Sequence, residues 1–166
     1  MVDGLVGSEM CIRDRYSSSI QFGNSFKNES VVINTDRTKD KPWDTFGFSP
    51  HQWMHVDISS IYRTSALKFK LKANELPKLQ AILFAYTGNK RRLQKVLDEN
   101  HFIDNGSGIY EAYLPFKSLT GHDEFRWDDL KEIRFKIMDG TQFEIGDFQI
   151  IEFRGNPKKP TKWKRI

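Results

Sequence analysis

Residues 129–153 read DLKEIRFKIMDGTQFEIGDFQIIEF, and their rhythm decides the fold class. Ile133, Phe135 and Ile137 alternate with Arg134, Lys136 and Met138. A period of two puts the first set on one face of a strand and the second set on the other. Asp139-Gly140 then supplies a turn that tolerates positive φ. Phe143 and Ile145 resume the alternation, and Phe148 and Ile150 carry it on one residue out of step after Gly146-Asp147. That slip predicts a bulge at the glycine. Two strands of this kind predict an all-β sandwich.

The rest of the chain repeats the pattern. Residues 66–73 (ALKFKLKA) place Leu67, Phe69 and Leu71 on one face and Lys68, Lys70 and Lys72 on the other. Residues 109–116 (IYEAYLPF) alternate in the same way. Residues 17–23, 30–34, 43–48 and 53–59 are shorter candidates. Residues 90–99 (KRRLQKVLDE) fit a helical turn through Leu93, Val96 and Leu97, or a strand through Leu93, Lys95 and Leu97; the surrounding rhythm favours the strand. Gly88-Asn89 and residues 105–108 (NGSG) are turns, and 35–44 and 119–128 are loops. Many short strands with turn signals and no long helix predict a two-sheet antiparallel β-sandwich of jelly-roll type.

A chain of 166 residues suits one domain with a sizeable core. An aromatic share of 13%, with 13 Phe, suits β packing and argues against disorder. The formal charge of +4 is mildly basic, and much of the excess lies in Lys158, Lys159, Lys162, Lys164 and Arg165. Residues 155–166 therefore read as a solvated basic tail or linker after a domain at 16–154. No run of about 18 apolar residues predicts a membrane helix. Nucleic-acid binding would rest on the pI and the tail alone and is not expected.

Residues 1–15 (MVDGLVGSEMCIRDR) have neither an apolar signal core nor a period. They resemble the peptide produced when a sequencing adapter is translated, the alternative being a short native leader. On the first reading, any signal peptide or catalytic domain upstream is missing. Cys11, the single cysteine, would then not be native.

Four stretches carry a family resemblance: residues 66–73 (ALKFKLKA), 110–116 (YEAYLPF), 127–137 (WDDLKEIRFKI) and 140–151 (GTQFEIGDFQII). In this order they resemble the galactose-binding-like jelly roll of non-catalytic carbohydrate-binding modules, notably family 11 and CIA30-type domains. The likeness covers roughly residues 43–153. The usual last strand has two adjacent acidic residues, whereas here Phe148 follows Asp147. The resemblance implies a structural calcium near that strand, with Asp147 as its ligand, since a hard cation wants carboxylate oxygens. Asp147 could equally cap the bulge.

The same strand order sets residues 79–87 (LQAILFAYT) beside 133–138. If Leu79, Ala81, Leu83 and Ala85 face the core, then Gln80, Ile82, Phe84 and Tyr86 share an outer face with Arg134 and Lys136. The opposite phase makes Phe84 and Tyr86 ordinary core. Sugars offer C–H faces to aromatic rings and hydroxyls to planar polar groups, so a face of Tyr86, Phe84, Gln80, Arg134 and Lys136 is a candidate glycan site. Trp43, Trp53 and Tyr62 are candidates for its rim. Lys68, Lys70 and Lys72 form a basic row, read as a solvated face or as contact with an anionic glycan.

Catalytic signatures are absent. There is no HExxH, GxSxG, P-loop, GxGxxG or cysteine pair, and His51 and His55 have no helix to align them. The expectation is a secreted, extracellular or periplasmic polysaccharide-binding module, ancillary to a glycan-degrading enzyme and catalytically inert. The alternatives are a CIA30-type assembly domain and a fragment of a jelly-roll lyase or hydrolase.

Overall fold

The computed structural model describes residues 11–14, 19–27, 30–34, 44–49, 56–139, 142–154 and 162–165. Twelve strands follow in chain order: β1 (Cys11–Asp14), β2 (Ser19–Gly23), β3 (Ser30–Asn34), β4 (Asp44–Ser49), β5 (Ser65–Lys72) and β6 (Lys78–Ala85). They continue with β7 (Arg92–Val96), β8 (Phe102–Asp104), β9 (Ile109–Pro115), β10 (Leu130–Asp139), β11 (Gln142–Arg154) and β12 (Lys162–Arg165). Among the described residues the only helical pieces are short 3₁₀ turns, such as Tyr62–Thr64 and Phe116–Ser118.

Two antiparallel sheets form the sandwich. The first has the order β1-β4-β10-β6-β7. The second runs β2-β3-β11-β5-β9-β8, with β12 added to β11. β11 is long enough to pair with β5 along one edge and with both β3 and β12 along the other. β10 and β11 are consecutive but belong to different sheets. The two strands therefore do not pair as a hairpin, and Gly140 lies outside the described residues.

The alternation read from residues 129–153 is the inside–outside division of both strands. Ile133, Phe135 and Ile137 are buried on the inner side of β10, as are Phe143, Ile145, Phe148 and Ile150 on β11. The register of β11 against β5 slips between Gly146 and Gln149, and Asp147 takes φ 52°. The extra residue resets the phase so that Phe148 points inward again. Phe rings fill the gap between the sheets. Phe48 packs on Phe148 at 4.4 Å and Phe69 on Phe135 at 5.3 Å, in tilted and edge-on geometries that suit ring quadrupoles.

Residues 90–99 are a strand over Arg92–Val96, since Leu93 is buried between its exposed neighbours. Three expectations need correction. Residues 53–59 are not a strand where described: Val56 makes one isolated bridge to Leu130, and a turn follows. The basic tail is not all linker, because Lys162–Arg165 pairs with Ile151–Arg154. Tyr62 is not a site rim. It is 8% exposed and stacks on Trp127 at 4.6 Å, closing one end of the core. Trp127 packs against that sandwich end, with Nε1 donating to the His122 carbonyl at 2.6 Å.

Candidate functional site

The phase of β6 is settled by burial. Leu79, Ala81, Leu83 and Ala85 line the core, so Gln80, Ile82, Phe84 and Tyr86 face away from it. β10 pairs with β6 at Arg134↔Ile82 and Lys136↔Gln80. β4 flanks β10 at Arg134↔Gly47 and Lys136↔Thr45. β7 flanks β6 at Gln80↔Val96, Ile82↔Gln94 and Phe84↔Arg92. Side chains on one face of neighbouring strands stand about 5 Å apart. The outer face of the five-stranded sheet is therefore a ladder of three rungs. One holds Thr45, Lys136, Gln80 and Val96; the next Gly47, Arg134, Ile82 and Gln94; the third Glu132, Phe84 and Arg92. Tyr86 stands beyond the third.

Both aromatic rings are half-buried and carry a cation. The Arg92 guanidinium lies 5.7 Å from the Phe84 ring centre, and the Lys131 ammonium lies 5.5 Å from that of Tyr86. Such contacts hold a cation against a ring face while leaving its charge partly unneutralised.

The middle rung is held by a buried charge. Arg134 and Glu132 are each 6% exposed, and Arg134 Nη1 lies 3.7 Å from Glu132 Oε2. Arg134 Nη2 donates to Thr45 Oγ1 at 3.1 Å. The Arg134 side chain lies across Gly47, where a Cβ would come within 2.9 Å of its Cγ and Nη1. A glycine in mid-strand thus makes the bed for the arginine. Glu132 Oε2 is buried without a hydrogen bond, leaving an acceptor in the ladder.

The structure thus brings Gln80, Phe84, Tyr86, Arg134 and Lys136 onto one face. Trp43 and Trp53 lie outside the described residues. Sequence reasoning missed Glu132, Arg92 and Gln94. Glu132 belongs to the same outward set as Arg134 and Lys136, while the β7 pair was hidden by the strand–helix ambiguity of residues 90–99.

Asp147 occupies the bulge on the other sheet, with Oδ2 3.3 Å from Lys70 Nζ. Calcium takes six to eight oxygens. Among the described residues no three His, Cys, Asp or Glu side chains gather as a metal site would require. The residues around Asp147 thus fit a lysine ammonium better than a calcium ion. The basic row is neutralised throughout. Lys68 lies 3.6 Å from Glu111, Lys70 faces Asp147, and Lys72 reaches Ser25 beside Glu144.

No family model matches the chain, and no curated relative matches it. Solved structures do. A family 30 carbohydrate-binding module superposes with a TM-score of 0.67 at 12% identity, over 90% of this chain and 96% of that one. The fold is a jelly-roll β-sandwich of the kind seen in that module. The family 11 module of the cellulosomal cellulase Lic26A-Cel5E of Clostridium thermocellum gives 0.56 at 12% identity, over 89% and 90%. An exo-beta-agarase gives 0.58 at 13% identity, where the jelly roll matches 92% of this chain but 24% of that one. At these identities the likeness establishes the architecture alone.

Proposed function

We propose that this jelly roll is a non-catalytic polysaccharide-binding module whose site is the outer face of the five-stranded sheet. The observation that carries the reading is the ladder itself. Phe84 and Tyr86 offer ring surface to sugar C–H faces, while Gln80, Gln94 and Lys136 offer polar groups to hydroxyls and the buried Arg134 holds the middle of the face in place. An open sheet face suits a long polymer better than a deep pocket would. Among the described residues the ladder holds a single carboxylate, Glu132, and it is paired to Arg134. Two-carboxylate glycoside hydrolysis needs a second at roughly 5–9.5 Å. Binding without cleavage is the simpler chemistry for this face.

The likeness to family 30 and family 11 modules supports the reading; an ancillary role beside a catalytic domain goes further and is in keeping with a match that spans 24% of an exo-beta-agarase. Tethering to polymer would raise the local substrate concentration for such a partner. A secreted location follows from that role.

Affinity gel electrophoresis on neutral and anionic polysaccharides is the test. Wild type is expected to be retarded by at least one of them. F84A/Y86A should lose at least about tenfold in affinity while keeping its fold, since each stacked ring contributes about 0.5–1.5 kcal/mol beyond its buried area. Absence of retardation on every gel, with a stable protein partner captured instead, would favour the assembly-domain alternative.

A further inference from the structure

The ladder continues round the β7 edge into a groove of about 680 Å³ lined by Lys90, Arg92, Leu93, Gln94 and Thr120. Among the described residues no carboxylate lines it. The Lys90 side chain lies over Gly121, which has φ 83° and where a Cβ would fall 2.3 Å from Lys90 Cε. The backbones of Lys90 and Phe125 form a parallel bridge that fixes this loop against the strand edge. Among the described residues neither Lys90 nor Arg92 makes an ion pair; the Arg92 contact is with the Phe84 ring. The nearby loop acid Asp123 is held by Arg63 at 3.1 Å. Among the described residues Lys136, on the ladder proper, makes no ion pair either. The contrast with the opposite sheet is sharp, since each lysine of its basic row faces an acid.

Two unneutralised cations over a groove with an amide and a hydroxyl make a site for a pendant anion. We infer that this groove takes the carboxylate or sulfate group of an anionic polysaccharide whose sugar rings lie along Phe84 and Tyr86. Arg92 joins the two parts, because one guanidinium covers the ring and reaches the groove. Its planar fork suits either oxyanion, and Lys90 adds a point charge. The inference rests on the proposed glycan face and adds the charge class of the glycan to it.

The test uses the whole chain in affinity gels. The probes are polygalacturonate for carboxylate, dextran sulfate for sulfate, and hydroxyethyl cellulose and xyloglucan as neutral polymers. Wild type should be retarded by polygalacturonate or dextran sulfate, with the arm that responds naming the anion. That retardation should weaken as salt rises from 10 to 500 mM, because screening shortens to a few ångströms. K90Q/R92Q should lose at least about tenfold on the responding anionic gel, as expected for charge-assisted hydrogen bonds. K68Q/K72Q removes the same charge from the opposite sheet and should bind like wild type. Thermal melts confirm that each variant is folded. Retardation by neutral polymers alone would overturn the inference and leave the glycan face standing. Equal losses in the two double variants would overturn it as diffuse charge attraction. No retardation on any gel would overturn both readings.

Discussion

Arg134 is a full charge laid over a glycine and nearly excluded from water. Taking it there is costly, and its pairing with Glu132 and hydrogen bond to Thr45 offset that cost. Removing one partner leaves the other buried and uncompensated. R134A is therefore expected to destabilise by about 3–5 kcal/mol in urea denaturation. The charge-free double variant E132L/R134M should lie much nearer wild type, because well-packed apolar replacements often match a buried pair. If R134A is neutral, the pair is not buried as described. The residue scale also shows what sequence could reveal here. Alternation placed Arg134 and Lys136 on the outward side of β10. It could not show that Arg134 is inaccessible, because that follows from Gly47 on a strand far away in sequence.

Elements were legible where inner and outer sets differ in polarity. β5 alternates Leu and Phe with Lys, so its faces followed at once. β6 does not, because its outward Ile82, Phe84 and Tyr86 are as apolar as its inward set; only burial against β10 and β7 resolves the phase. The bulge at Gly146 was legible from a one-residue slip. The crossing of β10 and β11 into different sheets was not, since periodicity says nothing of partners. β8 spans three residues and β12 lies in a lysine-rich tail, too short and too polar to announce themselves.

One element junction makes a pH prediction. Glu144 of β11 joins the turn after β2 to β3, accepting from Ser25 N at 3.0 Å, Ser25 Oγ at 2.7 Å and Ser30 Oγ at 2.6 Å. Burial pushes its pKa up, but these hydrogen bonds and the Lys72 charge outweigh it and hold the carboxyl below its ordinary 4.5. A depressed folded value means stability present above about pH 4.5 and lost as pH falls through the folded value. E144Q should therefore cost about 1–2 kcal/mol at pH 7. The difference from wild type should shrink steadily below pH 4.5. A constant difference down to pH 3 would show that the ionised form is not what the serines hold.

At the scale of the molecule, the two sheets present outer faces of different character. One is a lysine row on the central strand β5, answered by acids. The other is a ladder of half-buried rings, amides and cations that continues into a groove without carboxylates. The architecture was legible in the sequence because alternation is a property of each strand. The extent of the ladder was not, since it depends on which strands become neighbours. The face itself can be addressed directly by titrating ¹⁵N-labelled protein with an oligosaccharide cut from the polymer that retards it most. Amide shifts are expected to concentrate on residues 80–86, 92–96 and 132–136, with residues 68–72 and 109–113 unmoved. Shifts centred on that second set, or no shift at saturating sugar, would contradict the assignment of the five-stranded face as the binding surface.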